Sequence, residues 1–397
     1  MTEFLEQAKR LEDFMVSSRR YLHQHAELGC DLPKTASFVK EKLKEIGLEP
    51  KEICQSGILA EIKGARPGKT ILLRADMDAL PMEEESGLPF HTRTNAAHTC
   101  GHDLHTSMLL GAAKILYDNR DTLCGTVKLM FQPGEEVGIG ARNMIDAGIL
   151  ENPRVDAAFG MHVMFGWKAP AFAYGSGFTT SFLDEFEITI KGVGCHGAMP
   201  HLGIDPINVG FHIYTAYQAL VAREMPPKET ASLTIGRFTS GTRSNVMPDR
   251  AVMEGTMRTY DRALRERMLK RLEEVAKHCG EMFHADVTFR WLSNIPAIES
   301  NPELSEEFAG CIREYVGDFI KSSACTMTFS DDFGFVAEKV PSSFFMVGCK
   351  VDGCEVQHHN PKVLFDESVL VYGAAAYAGC AHGWLLQKFV KSLRDTD

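Results

Sequence analysis

The feature that most limits how this chain can fold is a change of hydrophobic rhythm partway along it, followed by a change back. Early on, short apolar runs at 70–74 (TILLR), 126–131 (TVKLMF) and 155–163 (VDAAFGMHV) alternate with helical-period stretches at 105–116 and 141–150. Apolar strands that alternate with helices predict a mostly parallel sheet covered by helices. From about Phe182 the pattern becomes residue-by-residue alternation in FLDEFEITIKG, ASLTIGRF and RAVMEGTMRTY, with helical segments at 206–221 and 261–278. Two helices on a small antiparallel sheet satisfy that pattern. After Pro296 the first rhythm returns as a helix at 304–316, an apolar strand at 343–347 and a helix at 370–386. At 397 residues the chain exceeds what one core ordinarily organises. The simplest reading is an α/β fold with a smaller α+β domain inserted in it: 1–181, 182–296 and 297–397.

Charge and cysteine usage narrow the function classes. A net charge of −11 and the lack of a basic stripe argue against a nucleic-acid surface and against an anionic membrane as partner. No apolar run reaches the roughly 18 residues that a membrane-spanning helix needs. The N-terminus is amphipathic, with Phe4, Leu5, Ala8, Leu11, Phe14 and Met15 near helical spacing, which suits a docked helix and not a signal peptide. Eleven cysteines without a CxxC pair read as reduced thiols, so a cytoplasmic location is expected. No GxGxxG or GxxxxGK[ST] follows an expected strand, which removes the nucleotide-binding class.

The polar residues that could carry chemistry gather at the expected C-terminal ends of strands, where open α/β sheets place their sites. Asp76 and Asp78 follow the first strand. Thr99-Cys100-Gly101-His102-Asp103 precedes a strong helix, and Glu135-Glu136 follow the next strand across Gln132-Pro133-Gly134. His162 ends a third strand, and His358-His359 lie in a late loop. Singly, each has a plain reading: a packed thiol, a hydrogen-bonded core histidine, a solvated turn. Their recurrence at equivalent places in the topology favours a metal site. Thiolate, imidazole and carboxylate together suit Zn²⁺, Mn²⁺, Co²⁺ or Ni²⁺ better than Mg²⁺ or Ca²⁺. Cys100 and His102 could reach one site from a tight glycine turn. Of two adjacent glutamates, one can bind an ion while the other stays free as a general base.

Nine segments, in order, resemble one family. They are LRADMDALPM (73–82), AHTCGHDLHT (97–106), FQPGEE (131–136), GMHV (160–163), KGVGCHGAMPHLGIDP (191–206), NVMPD (245–249), EGTMRT (254–259), SDDFGF (330–335) and HHNP (358–361). The chain resembles the M20 metallopeptidase and aminoacylase family, in the amidohydrolase branch of hippurate and auxin-conjugate hydrolases. That resemblance implies metal-dependent hydrolysis of an N-acyl amino acid at a site holding two divalent ions, Mn²⁺ or Zn²⁺ first, Co²⁺ or Ni²⁺ next. It assigns Cys100, His102, Glu136, His162 and His359 as ligands, with Cys100 bridging, and Glu135 as general acid/base. Asp78 matches an aspartate that orients a ligand. His196 and Asn245 match inserted-domain residues near the scissile group. The substrate's free carboxylate needs a clamp, for which Arg243, Asn245 and His201 are the candidates. The inserted domain would serve as lid or dimerisation domain, making a homodimer the expected assembly.

The sequence also departs from the family pattern. His358 competes with His359 as the last ligand, and His359 is preferred because it directly precedes Asn-Pro. Gly134 stands where Ala is usual, Cys195 where Gly is usual, and Asp331 where Glu is usual, with no role evident for that shorter carboxylate. Phe165 and Trp167 follow the GMHV segment where the family more often carries a proline. A dipeptidase or an N-acetyl-diaminopimelate deacetylase would use the same site. A non-catalytic metal-binding homologue is disfavoured, because Glu135 stands beside a full ligand set.

Overall fold

The computed structural model describes residues 3–386. The outermost parts of the expected first and third stretches, 1–2 and 387–397, lie outside the described residues. The chain forms two compact units. The larger takes residues up to Thr179, Ile298–Thr326 and those from Asp331 onward; the smaller takes Thr180–Ala297 and Met327–Ser330.

The larger unit is organised by a sheet of ten described strands. At its centre Cys124–Gln132, Arg66–Asp76, Ala157–Met164 and Ser342–Gly348 run parallel, in that order. Their sequences are continuously apolar because they are covered on both faces: every residue from Thr70 to Asp76, and from Ala157 to Val163, is buried. Register brings their C-terminal ends level. Asp76 lies opposite Gln132, Arg74 opposite Gly160, and Met346 opposite His162. That shared edge is where the polar residues sit. The helices His102–Asp118 and Val369–Leu385 are apolar almost all round and pack against each other at close range. A Cβ on Gly373 would lie 1.9 Å from Met108 Sδ, and one on Gly111 would meet Met15 and Ala374. Larger side chains at either glycine would force these helices apart.

The smaller unit has an antiparallel sheet in the order Ala231–Ser240, Arg250–Thr259, Phe182–Lys191, Asp286–Ile295. Alternation in the sequence becomes one buried face: Phe186, Ile188 and Ile190 point inward along a single strand. Against that face lie Pro206–Glu224, through Val209, Ile213, Tyr217 and Leu220, and Arg262–Met282, through Leu264, Met268, Leu272 and Ala276. These spacings are one helical stripe each. Both helices start on an aspartate cap. Asp205 accepts from the backbone N–H groups of Ile207 and Asn208 ahead of Pro206, and Asp261 accepts from Leu264.

The structure departs from the sequence reading at several elements. The amphipathic N-terminus is two helices, Glu3–Arg10 and Glu12–Gln24. The helix expected at 141–150 stops at Asp146, and Gly148 follows with a φ of +88° that only glycine adopts cheaply. Asp286–Ile295 (DVTFRWLSNI) is a fourth strand of the small sheet. Its charges, and a register shift between Trp291 and Ser293, break its alternation.

Candidate metal centre

Each expected ligand of the larger unit stands at a strand end or a tight turn. Cys100 and His102 flank Gly101, which begins the helix His102–Asp118 with φ +91°. A Cβ there would lie 2.5 Å from Val163 Cγ2, so glycine is required both for the backbone conformation and for the space. Gly134, just before Glu135, has φ +68°, which glycine fills with less strain than the family's usual alanine. His162 lies in the strand Ala157–Met164, beside Cys100. His359 holds φ +61°, a conformation uncommon for a non-glycine residue, and its backbone N–H donates to Thr99 O at 3.0 Å. The late loop is thereby tied to the cysteine turn.

The donor atoms converge. Cys100, His102 and His162 form one set whose ligand atoms lie within 4.8 Å of one another, and Cys100, Glu136 and His359 form a second. Cys100 is common to both. Its Sγ is 3.4 Å from His162 Nε2, and His359 Nε2 is 3.5 Å from Glu136 Oε1. His102 Nδ1 donates to the carbonyl of Asp78 at 2.8 Å, which turns Nε2 inward, 3.8 Å from Glu136 Oε1. His102 Nε2 and Glu136 Oε1 are buried without a hydrogen-bond partner among the described residues. Facing polar atoms left unpaired this way are costly unless a further group satisfies both. Asp78 accepts from the backbone N–H groups of Glu135 (3.0 Å) and Glu136 (3.1 Å). His358 belongs to none of these sets. Its ring packs against His162, Phe165 and Phe365.

Electrostatics point the same way. Burial pushes the Cys100 thiol well up, and Glu136, Glu135 and Asp76 add to it. Burial and the carboxylates of Asp331, Glu136, Asp332 and Asp76 hold Glu135 well above the usual carboxylate range. Glu136 is pushed up to about 7, by burial first, with His102 opposing and Asp78 and Asp76 reinforcing. Burial would lower His102, but Asp76, Asp78 and Glu136 outweigh it and raise it to about 10. Asp76, Glu135, Asp331 and Asp332 thus crowd around the Arg74 guanidinium, and Asp76, Asp78 and Glu136 around the His102 ring. Buried negative charge of this density calls for cations. A donor set of thiol, imidazoles and carboxylate fits divalent ions of the zinc and manganese kind, whose arrival would displace the protons these groups hold.

Several residues at the centre escaped the sequence reading. His105 donates from Nδ1 to Asp76 Oδ1 at 2.6 Å and accepts at Nε2 from Val163 N–H at 2.9 Å, fixing the strand end that carries His162. Its spacing of three from His102, one helical turn, was the available signal. Arg74 pairs with Asp76, Asp331 and Asp332. Farther back, Asp103 accepts from Arg19 Nε at 2.9 Å and from His23 Nδ1 at 2.8 Å, so the second N-terminal helix braces the residue after His102.

The remaining expected site residues belong to the smaller unit. His196 and Asn245 are brought together there: Val246 pairs with His196, and Gly197 N–H donates to Asn245 O at 2.9 Å. Arg243 lies in the preceding exposed turn, and His201 in the short helix Pro200–Leu202. Cys195 packs its Sγ 3.7 Å from Met247 Sδ.

Residues 72–382 match Peptidase family M20/M25/M40. The chain is 33% identical to thermostable carboxypeptidase 1 of Saccharolobus solfataricus, over 93% of this chain and 95% of that one. It is 35% identical to N-acetyl-L-cysteine deacetylase of Bacillus subtilis (91% and 86%), and 34% identical to the IAA-amino acid hydrolase ILR1-like 2 of Arabidopsis thaliana (98% and 90%). Among solved structures, a dinuclear metal-binding peptidase of the M20 family from Bacillus subtilis superposes with a TM-score of 0.81 at 31% identity, covering 95% of this chain and 99% of that one. The chain belongs to the M20/M25/M40 peptidase family.

Proposed function

We propose that this protein hydrolyses the amide bond of N-acyl amino acids at a centre of two divalent ions. One observation carries the reading: two ligand sets share Cys100, and Glu135 stands outside both, grouping instead with His102 and Glu136 and with Asp331 and Asp332, its carboxylate 4.0 Å from His102 Nε2. Cys100, His102 and His162 would hold one ion, and Cys100, Glu136 and His359 the other. Bound ions would supply Lewis acidity and activate water for attack on the carbonyl. Glu135 takes the proton of the attacking water and returns it to the amine as the C–N bond breaks. Asp78, through the N–H groups of Glu135 and Glu136, keeps both carboxylates in place. His196 is proposed as a donor to the oxyanion, and Arg243, Asn245 and His201 as the clamp for the free carboxylate.

The deacetylase and the IAA-amino acid hydrolase among the relatives support an acyl amino acid as substrate, and the carboxypeptidase supports a peptide as the second reading. Metal-free protein with and without added Mn²⁺ or Zn²⁺, offered N-acetyl, N-benzoyl and long-chain N-acyl amino acids alongside dipeptides, separates them. Metal-dependent release from one acyl class is the expected result. Release from dipeptides alone would transfer the assignment to the peptide reading, and no release by the metal-loaded protein would reject both.

The proposal includes a homodimer. On the helix Pro206–Glu224, Ile207, Phe211 and Tyr214 form an exposed apolar stripe, Phe211 at 63% exposure. Beside it Phe238, on the edge strand Ala231–Ser240, packs against Gly210. An apolar helix stripe next to an open sheet edge suits a two-fold contact with a second copy. Sedimentation should find a dimer, and Phe211→Glu should shift it to monomer without lowering the melting temperature of the smaller unit's core. A wild-type chain that stays monomeric at all concentrations would refute this. All eleven cysteines are free thiols, which supports a reducing, cytoplasmic location. No helix among the described residues is long and apolar enough to cross a membrane.

A further inference from the structure

The turn that carries Glu135 and Glu136 has little apolar packing to hold it. Val137 and Ile139, which follow the two glutamates, are 53% and 44% exposed. The turn's own backbone bonds, from Gly138 to Glu135 and from Gly140 to Gly134, fix its shape but not its place. Place comes from two carboxylates. Asp78 grips the middle, at the N–H groups of Glu135 and Glu136. Asp332 grips both ends. Its Oδ1 accepts from Gln132 Nε2 at 2.6 Å, at the last residue of the strand entering the turn. Its Oδ2 accepts from Ala141 N–H at 2.9 Å, in the first turn of the helix leaving it.

Asp332 is itself held. Arg74 Nη2 lies 3.2 Å from its Oδ1, and Arg74 Nε donates to Gln132 Oε1 at 2.9 Å. The same guanidinium makes a paired contact with Asp331 at 3.1 and 3.0 Å and lies 2.9 Å from Asp76 Oδ2. Asp331 Oδ1 also accepts from Phe333 N–H, which sets the Asp331–Asp332 turn. All five polar side chains, Arg74, Asp76, Gln132, Asp331 and Asp332, are buried. Burying this many charges stabilises a fold no more than apolar packing commonly would, and what such a network adds is a fixed position for the groups it binds.

We propose that Asp332 is a positioning residue of the metal centre: fixed by Arg74, Asp331 and Gln132, it spans the Glu135–Glu136 turn so that Glu136 reaches the ion it shares with Cys100 and His359. This rests on the metal-centre reading given under Proposed function. It also gives Asp331 a role: the shorter side chain docks both oxygens on Arg74 and thereby orients its neighbour.

The test is Co²⁺ titration of metal-free protein, following the thiolate-to-cobalt absorption from Cys100 and the heat of binding. In Asp332→Asn the side-chain amide must face either Gln132 Nε2 or Ala141 N–H, donor against donor. Adding Gln132→Glu restores an acceptor opposite that amide and returns a negative charge beside Arg74. Glu136 belongs to only one of the two ligand sets sharing Cys100. Asp332→Asn should therefore weaken one of the two binding steps by about 10- to 100-fold and leave the other within about threefold. The double variant should recover the weakened step to within about threefold of wild type. Equal weakening of both steps, no weakening, or a double variant no better than the single would overturn the proposal. If Asp332→Asn does not fold, Gln132→Met removes the strand-end contact together with the Arg74 Nε bond to Gln132, leaves the Ala141 contact in place, and should weaken the same step by at least about threefold; unchanged binding there also overturns it. Wild-type protein that takes up no Co²⁺ would instead reject the metal centre itself.

Discussion

Glu135→Gln is expected to keep both ions and to slow turnover by about two to four orders of magnitude, which corresponds to about 3 to 5 kcal/mol of transition-state stabilisation. The substitution keeps the volume of the side chain and removes only its ability to take and return a proton. Glu135 is absent from both ligand sets that share Cys100, so ion binding has other donors to rely on. Its backbone N–H, held by Asp78, is untouched, so the turn should stay where it is. Metal content by mass spectrometry and kcat on the best substrate of the panel check the prediction together. The loss should fall on kcat, with KM nearly unchanged, because the base acts in the transition state more than in binding. A variant turning over near the wild-type rate would place the base elsewhere. A variant that loses an ion would make Glu135 a ligand.

Much of this centre was legible in the sequence because its residues stand where secondary structure ends. Cys100-Gly101-His102 before a helix, Glu135-Glu136 after a strand and His162 within the next are local patterns, and a parallel sheet aligns such ends whatever the details of packing. The choice between His358 and His359 is of another kind. Both are imidazoles in one loop, and what separates them in the structure is the left-handed backbone at His359 and the aromatic packing around the His358 ring. Neither is written in the pattern of neighbours along the chain. Arg74 and Asp332 were unreadable for a stronger reason. Arg74 sits in an apolar run as one charged residue among buried neighbours, and two of its partners, Asp331 and Asp332, lie more than 250 positions away in sequence. The domain insertion was visible as a change of rhythm. The strand Asp286–Ile295 was not, because an edge strand open to solvent keeps polar residues on both sides of its alternation.

Replacement of Cys100 should have the second large effect, and a different one. If its thiolate bridges, as the shared membership of two ligand sets proposes, Cys100→Ser should weaken both ions at once. A serine hydroxyl does not ionise at neutral pH, so it cannot replace the charge a thiolate places between two cations. His162→Ala is the control, since His162 enters only the set with Cys100 and His102 and its loss should release one ion. Turnover should disappear in Cys100→Ser. So should the stabilisation that ions give the folded chain, about 2.7 kcal/mol at a free-ion concentration one hundred times Kd. Thermal melting with and without Zn²⁺ reads this directly: wild type should melt higher with the ion, and Cys100→Ser should melt at the same temperature either way. A hydroxyl costs more to bury than a thiol, so the readout is the shift that Zn²⁺ causes in each protein and not the melting temperature of the metal-free forms. Should Cys100→Ser bind one ion with wild-type affinity, Cys100 would belong to a single set, and the retained ion would be held by the other donors of the second set, His102 with His162 or Glu136 with His359.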